Sequence, residues 1–130
     1  MLTILTCYTS IMKKRGMVFG VFDRFHVGHE FFLSNAAQKC DELVVVVTLP
    51  EIVAQLKGKL SLNDLATRIS KIQNFNPHLS VVSGDKKLGS WEVLKTYQPN
   101  IILLGCDQQG IAAELDRLDL PYEFLPHLQR

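Results

Sequence analysis

The sequence predicts an α/β fold, a three-layer sandwich in which a five-stranded parallel sheet carries helices on both faces. Three observations lead there. The segments Asp41 to Leu49 and Asn100 to Gly105 are apolar without the alternation of a half-exposed strand, so both of their faces must be covered. Strand-like and helix-like stretches alternate along the chain with short connections and no internal repeat, a pattern that calls for right-handed crossovers between parallel strands. Finally, 130 residues with 47% hydrophobic and 21% charged side chains suffice for one domain with its own core.

Taken in order, residues 1–15 read as an N-terminal extension and 16–130 as the folded domain. The extension is an uncharged, apolar and Thr-rich dozen followed by Met12-Lys13-Lys14-Arg15. Its charges follow the apolar stretch, and about 12 residues are too few for a bilayer that needs about 20, so no signal or membrane span is expected. An extra strand, a disordered tail, or a translation start at Met12 or Met17 are the alternatives. Met17 to Phe22, β-branched and aromatic, is the expected first strand. His29 to Cys40 follows as a helix, with Phe32, Leu33, Ala36 and Ala37 at helical spacing. Asp41 to Leu49 is the second strand, stopped by Pro50.

Glu51 to Leu56 makes a short helical turn and Lys57 to Leu60 a loop. Ser61 is the expected N-cap of a helix reaching Gln73, with Asp64 three residues on and Leu62, Leu65, Ile69 and Ile72 lining one face. Leu79 to Ser83 is a third strand, and Ser90 to Tyr97 a helix that buries Trp91, Val93 and Leu94. Asn100 to Gly105 is the fourth strand, Gly110 to Leu118 a helix, and Tyr122 to Leu125 the last strand.

The charges nearly cancel, 14 Lys+Arg against 13 Asp+Glu, so no broad field draws the protein to nucleic acid or to an anionic membrane. Anion binding must be local. The three cysteines, Cys7, Cys40 and Cys106, are odd in number and widely spaced, which argues against a disulfide framework or structural zinc and for a reduced, cytoplasmic setting. Cys106 is expected to be a small apolar filler at a strand end rather than a reactive thiol.

In a parallel sheet of this kind, ligands bind beyond the carboxyl ends of the strands, where strand order reverses. The residues to watch are therefore Asp23 to His29, those after Thr48, Gly84 to Lys87, and Cys106 to Gln109. Within the first group, His26-Val27-Gly28-His29 sits between a strand and a helix N-terminus, where amide N–H groups and the helix dipole favour an anion. Gly28 lets backbone approach a ligand closely. Two imidazoles there can donate hydrogen bonds to phosphate oxygens as charge develops in a phosphoryl or nucleotidyl transfer. Metal ligation is an alternative, but His-x-x-His needs further ligands that His78 and His127 do not supply in any motif. Ordinary structural histidines are the other reading. Asp23, at the strand end, is expected to hold the following loop by accepting backbone hydrogen bonds rather than to bind metal.

The stretch Gly20-Val21-Phe22-Asp23-Arg24-Phe25-His26-Val27-Gly28-His29 resembles the signature of the cytidylyltransferase-like nucleotidyltransferases, usually Gly-Thr-Phe-Asp-x-x-His-x-Gly-His. The resemblance runs from Gly16 to Leu125, with Lys57-Gly58-Lys59, the Arg68 helix and Gly105-Cys106-Asp107-Gln108 in the family's order. It implies a Rossmann-like fold and an enzyme that joins ATP or CTP to a phosphorylated acceptor, releasing pyrophosphate without a covalent intermediate. His26 and His29 would then contact the triphosphate and stabilise the transition state. Gly20, Val21 and Phe22 would floor the nucleotide site, Gly28, Gly105 and Gln108 would also bind the nucleotide, and Asp107 would meet the ribose or base. A helix N-cap is the rival role for Asp107. Lys57 and Lys59 would neutralise pyrophosphate or acceptor phosphate, or else lie in a solvated loop. Arg68 would touch phosphate, or else form a surface pair with Asp64. Mg²⁺ would arrive with the triphosphate.

Asp41 to Val47, Lys57-Gly58-Lys59 and Pro99 to Gln108 look most like archaeal-type FAD synthases, which transfer AMP from ATP to FMN. Glycerol-3-phosphate cytidylyltransferases follow, and pantetheine-phosphate adenylyltransferases share only the general plan. A homodimer is expected from the resemblance. Two departures stand out. Val21 replaces the usual threonine, and the chain closes at Pro126 to Arg130 where such enzymes continue into a Ser/Thr-rich triphosphate contact. A truncated domain, or a nucleotide-binding module without turnover, is the corresponding alternative.

Overall fold

The computed structural model describes residues 14–127; the expected extension up to residue 13, with Cys7, and residues 128–130 lie outside the described residues. The strands are β1 (Arg15–Gly20), β2 (Glu42–Val47), β3 (Ser80–Ser83), β4 (Ile101–Leu104) and β5 (Tyr122–Phe124). Among the described residues the helices are α1 (Val27–Gln38), α2 (Pro50–Lys57), α3 (Leu65–Phe75), α4 (Glu92–Tyr97) and α5 (Gln109–Arg117). All strand pairs are parallel, in the order β3-β2-β1-β4-β5. The expected five-stranded α/β sandwich is thus present.

The chain steps outward from β1 to β2 and β3, then crosses back to lay β4 and β5 on the other side of β1. That reversal puts the crevice for a ligand beyond the carboxyl ends of β1 and β4. Period-2 alternation divides the core between the two faces of the sheet. Val18, Leu43, Val45, Val47 and Leu103 face one side with Leu33, Ala36 and Ile72 from α1 and α3. Met17, Val44, Val46, Ile102 and Leu104 face the other with Val93, Ala112 and Leu115 from α4 and α5. The doubly apolar strands are buried on both faces, as their composition requires.

Most element ends shift by one or two residues from the sequence reading, and at three of them the structure shows why. Strand β1 stops at Gly20, not Phe22, because Phe22 takes a left-handed backbone at φ +53°. Helix α3 starts at Leu65 with Asp64 as N-cap, accepting from the Thr67 N–H at 2.8 Å, while the Ser61 hydroxyl donates instead to the Asn63 carbonyl. Leu62, expected on the buried helix face, is consequently 71% exposed. Helix α4 starts at Glu92 because Trp91 is left-handed at φ +54°, and the Asp85 carboxylate caps it from upstream by accepting from the Glu92 and Val93 N–H groups.

One buried charge organises the carboxyl edge of this sheet. Arg68, on α3, is fully buried and donates to three carbonyls: Val21 O at 3.0 Å, Thr48 O at 2.8 Å and Asn63 O at 3.2 Å. These oxygens lie just past β1, just past β2 and just before α3, where the chain has left its regular hydrogen-bond partners. Burial pulls the Arg68 pKa below its ordinary value, against the opposing pull of Asp23 and Asp64. The surface pair with Asp64 is not formed, because the guanidinium points inward to these carbonyls.

Arg68→Met keeps an apolar stem but leaves the Val21 and Thr48 carbonyls without this donor and the Asn63 carbonyl with the Ser61 hydroxyl alone. Hydrogen bonds to charged groups are worth ~1.5–3 kcal/mol each, offset by relief of the buried charge, so the expected loss of unfolding free energy is about 3–5 kcal/mol. Urea denaturation measures it, and a loss below about 1 kcal/mol would contradict this role.

Candidate functional site

A cleft of about 840 Å³ opens at the switch point. Its walls come from the ends of β1 and β4, the first turn of α1, the end of α2, the start of α5 and the tail after β5. Of the residues singled out in the sequence, Gly20, Val21, Phe22, Gly28, His26, His29, Lys57, Gly105, Asp107 and Gln108 all line it. Lys59 lines an adjoining cleft, and Arg68 lies beneath the floor, holding it, so the expected direct phosphate contact by Arg68 is not what the structure brings together.

The two histidines cap α1 reciprocally. His26 is the N-cap, and its Nδ1 accepts the Gly28 N–H at 3.1 Å; the His26 N–H in turn donates to His29 Nδ1 at 3.2 Å. A nitrogen that accepts a hydrogen bond carries no proton, so each neutral ring bears its proton on Nε2. Both side chains therefore keep one N–H donor beyond the cap, on residues that line the cleft. The rings stack with centroids 3.7 Å apart. Gly28 is needed for this cap itself: a Cβ there would stand 2.9 Å from Cε1 of His26.

His29 is enclosed by aromatic rings. Phe22 meets it edge-on at 5.4 Å, and Phe25, itself packed on Phe75, stacks on it at 5.5 Å. Burial, then repulsion from His26, lowers the His29 pKa from 6.5 to about 4, with Asp23 pulling the other way. The Phe22 ring reaches this place because Gly20 has no side chain. A Cβ on Gly20 would lie 2.7 Å from that ring.

Asp23 holds a loop, though a more distant one than expected. Its carboxylate accepts from the Leu62 N–H at 2.7 Å and the Asn63 N–H at 2.8 Å, about forty residues downstream. Burial works against this carboxylate, but the amides of Asn63, Leu62 and Arg24 and the charge of Arg68 outweigh it and lower its pKa. These same bonds, with Arg68 on the Asn63 carbonyl, hold Leu62 and Asn63 off helical geometry.

Across the cleft, Gln108 is a strap. Its Oε1 accepts from the Gly105 N–H and its Nε2 donates to the Phe19 carbonyl, both at 2.8 Å, tying the ends of β4 and β1 together. The N-cap of α5 is Gln108, so Asp107 is no cap; its exposed carboxylate stands in the cleft wall. Cys106 is exposed there too, which corrects its reading as a buried filler. The hydroxyl absent at Val21 has a neighbour in Thr48, which lines the cleft and donates to the Gly20 carbonyl at 3.1 Å. Gly84 to Lys87 line neither cleft, because β3 is an edge strand two places from the switch point.

Sequence reasoning missed Phe19, Phe31, Leu56, Ile111, Pro126 and His127 in the wall. The last two follow β5 directly, and the rule that strand ends point at the ligand would have found them. Phe31 and Ile111 carry no such signal. Among the described residues no group of three or more His, Cys, Asp or Glu is placed to hold a metal ion, and no helix is long and apolar enough to cross a membrane.

Known proteins resemble this chain in sequence and in fold. The chain is 38% identical over 100 residues to an FAD synthase of Thermococcus sibiricus, covering 77% of this chain and 68% of that protein. To an FAD synthase of Pyrococcus abyssi it is 34% identical over 121 residues, 85% of this chain and 82% of that one. The crystal structure of a lipopolysaccharide core biosynthesis protein from Thermoplasma volcanium superposes with a TM-score of 0.73 at 25% identity, covering 91% of this chain and 98% of that chain. A pantoate-beta-alanine ligase from Francisella tularensis shares the fold at a TM-score of 0.62 and 14% identity, over 91% of this chain and 60% of that one. Residues 17–120 match the family described as cytidylyltransferase-like, and with its parallel sheet and capped histidine pair at the switch point the chain belongs to that family of nucleotidyltransferases.

Proposed function

We propose that this protein transfers AMP from ATP to FMN, forming FAD and releasing pyrophosphate. The observation that carries the reading is the histidine pair: two imidazoles, each with Nδ1 accepting in the α1 cap and Nε2 left beyond it, in the cleft where strand order reverses. The relatives named FAD synthase supply the choice of acceptor.

In this reaction an oxygen of the acceptor phosphate attacks the α-phosphorus of ATP as the bond to the bridging oxygen of pyrophosphate breaks. Negative charge gathers on the oxygens around that phosphorus and on the leaving group. Donors already oriented in the folded state stabilise such charge without reorganising. His26 and His29 fill this role through Nε2–H, aided by the positive end of α1. Because His29 stays neutral down to about pH 4, its donor strength does not change across the physiological range. Lys57 neutralises phosphate at the edge of the cleft, while Gly105, Asp107 and the strap of Gln108 shape the nucleoside end. Each oxygen of Asp23 already accepts an amide N–H, so this carboxylate would not be needed to hold a divalent ion, which we take to be Mg²⁺ and which would come with the triphosphate. Such an ion would supply charge neutralisation to the triphosphate.

Pyrophosphate release from ATP, with FMN and glycerol-3-phosphate as rival acceptors and CTP as rival donor, tests the reading. Release with ATP and FMN supports it; none with that pair, or faster turnover with CTP and glycerol-3-phosphate, overturns it. His29→Ala is expected to reduce kcat by about 10²-fold or more, in line with loss of an oriented donor, while circular dichroism stays native. Unchanged turnover would remove His29 from the mechanism.

The depressed His29 pKa also predicts a stability profile. The unfolded imidazole takes its proton near pH 6.5 and the folded one only near 4, so acid favours the unfolded chain between those values. Stability is expected to fall as pH drops through this window and, for this group, to level off below it. His29→Gln, which can still cap α1, should show a shallower decline from thermal melts at pH 6.5, 5.5 and 4.5; an identical decline would contradict the assignment.

A further inference from the structure

A second cleft, of about 330 Å³, adjoins the first between the turn after β1 and the loop joining α2 to α3. The two share Val21, Asp23, His26 and Lys57, so ligands in each would meet beside His26 and Lys57. Its chemistry is different. Arg24, Lys57 and Lys59 line it, and none of them forms an ion pair among the described residues. The carboxylate in its wall, Asp23, is already held by two amides. The remainder is largely apolar, with Leu60 and Leu62 67% and 71% exposed.

Neither feature is accounted for by folding. Two leucines 67% and 71% exposed on one short loop bury little against the described residues, and three cations with no ion pair among those residues repel each other around one opening until an anion enters. Arg24 is also held in place for a reason other than its own comfort. Its backbone is left-handed at φ +48°, pinned by its N–H donating to Oδ1 of Asn63 at 3.2 Å.

We propose that this second cleft is the acceptor's subsite, and that Arg24 is a specificity-determining residue in it, selecting a phosphomonoester carried on a flat apolar ring system. Arg24, Lys57 and Lys59 grip the phosphate, the guanidinium fork matching two of its oxygens. Leu60 and Leu62 cover the ring. The shared wall then sets the acceptor phosphate beside His26, facing the α-phosphate of a nucleotide in the larger cleft. A small polyol phosphate would satisfy the cations and leave both leucines bare. This inference rests on the transferase reading above and adds where the acceptor lies and what chooses it.

Binding of FMN to the full chain, followed by flavin fluorescence, and of ATP, followed by calorimetry, tests it. Arg24→Leu is expected to weaken FMN binding at least tenfold and Arg24→Lys less. Leu62→Asp, at an exposed position that puts no core at risk, should weaken it at least fivefold. ATP affinity should stay within twofold in all three, with melting temperatures confirming the fold. Unaltered FMN affinity in Arg24→Leu and Leu62→Asp, alongside wild-type transfer from ATP to FMN, overturns the subsite and leaves the transferase reading standing. Tighter binding of glycerol-3-phosphate than of FMN overturns the ring selection. Failure of the wild-type chain both to bind FMN and to release pyrophosphate with it overturns both.

Discussion

The carboxyl edge of the sheet depends on the guanidinium of Arg68. A strand that ends gives up the neighbours that satisfied its carbonyls, and here two such oxygens, on Val21 and Thr48, converge with that of Asn63, just before α3, on one buried cation. A charge so placed would be costly alone, but the carbonyl dipoles and the nearby Asp23 and Asp64 offset that cost. The result is mechanical. With the Val21 carbonyl held from below, Phe22 is kept in its left-handed conformation, its ring lies over Gly20, and the ring's edge meets His29. A residue outside the cleft thereby sets the position and the apolar surroundings of one inside it.

The histidine pair shows how a structural role serves the chemical one proposed for it. In an ordinary capping box a short polar side chain and a Glu or Gln exchange hydrogen bonds with backbone amides. Here imidazoles occupy both positions, and the cap consumes one nitrogen of each ring. That assigns the tautomer, leaves a donor on the other nitrogen, and keeps both rings stacked. The reading of these residues as ordinary structural histidines and the reading as phosphate donors are therefore not rivals. The cap is what orients the donors.

The fold was legible in the residues because it follows from short-range pattern. Apolar runs without alternation demand covering on both sides, and a strand-helix alternation with short links admits few arrangements. Element ends were less legible, and they failed where a distant partner intervened. Ser61 and Asp64 both satisfy the local rules for starting α3. Asp23 and Arg68 decide between them by claiming the amides and the carbonyl of the residues in between. At α4 a left-handed Trp91, edge-on to Phe19 at 5.6 Å, shortens a helix that composition alone would start earlier.

For the site, the division is similar. The sequence alone determined the histidine pair, the glycines around it and the segments after β1, β2 and β4, since strand-end position and residue chemistry are both local properties. Only the tertiary structure decided what those residues touch. It placed Arg68 below the floor rather than in the cleft, made Gln108 a strap between strands, exposed Leu62, and turned the 58–63 loop so that Lys59 and Arg24 share a second cleft. Each of these depends on contacts between residues roughly 40 to 90 positions apart, which no window along the chain contains. Periodicity reports which face of an element is buried; which polar atom finds which carbonyl is settled only when the elements meet.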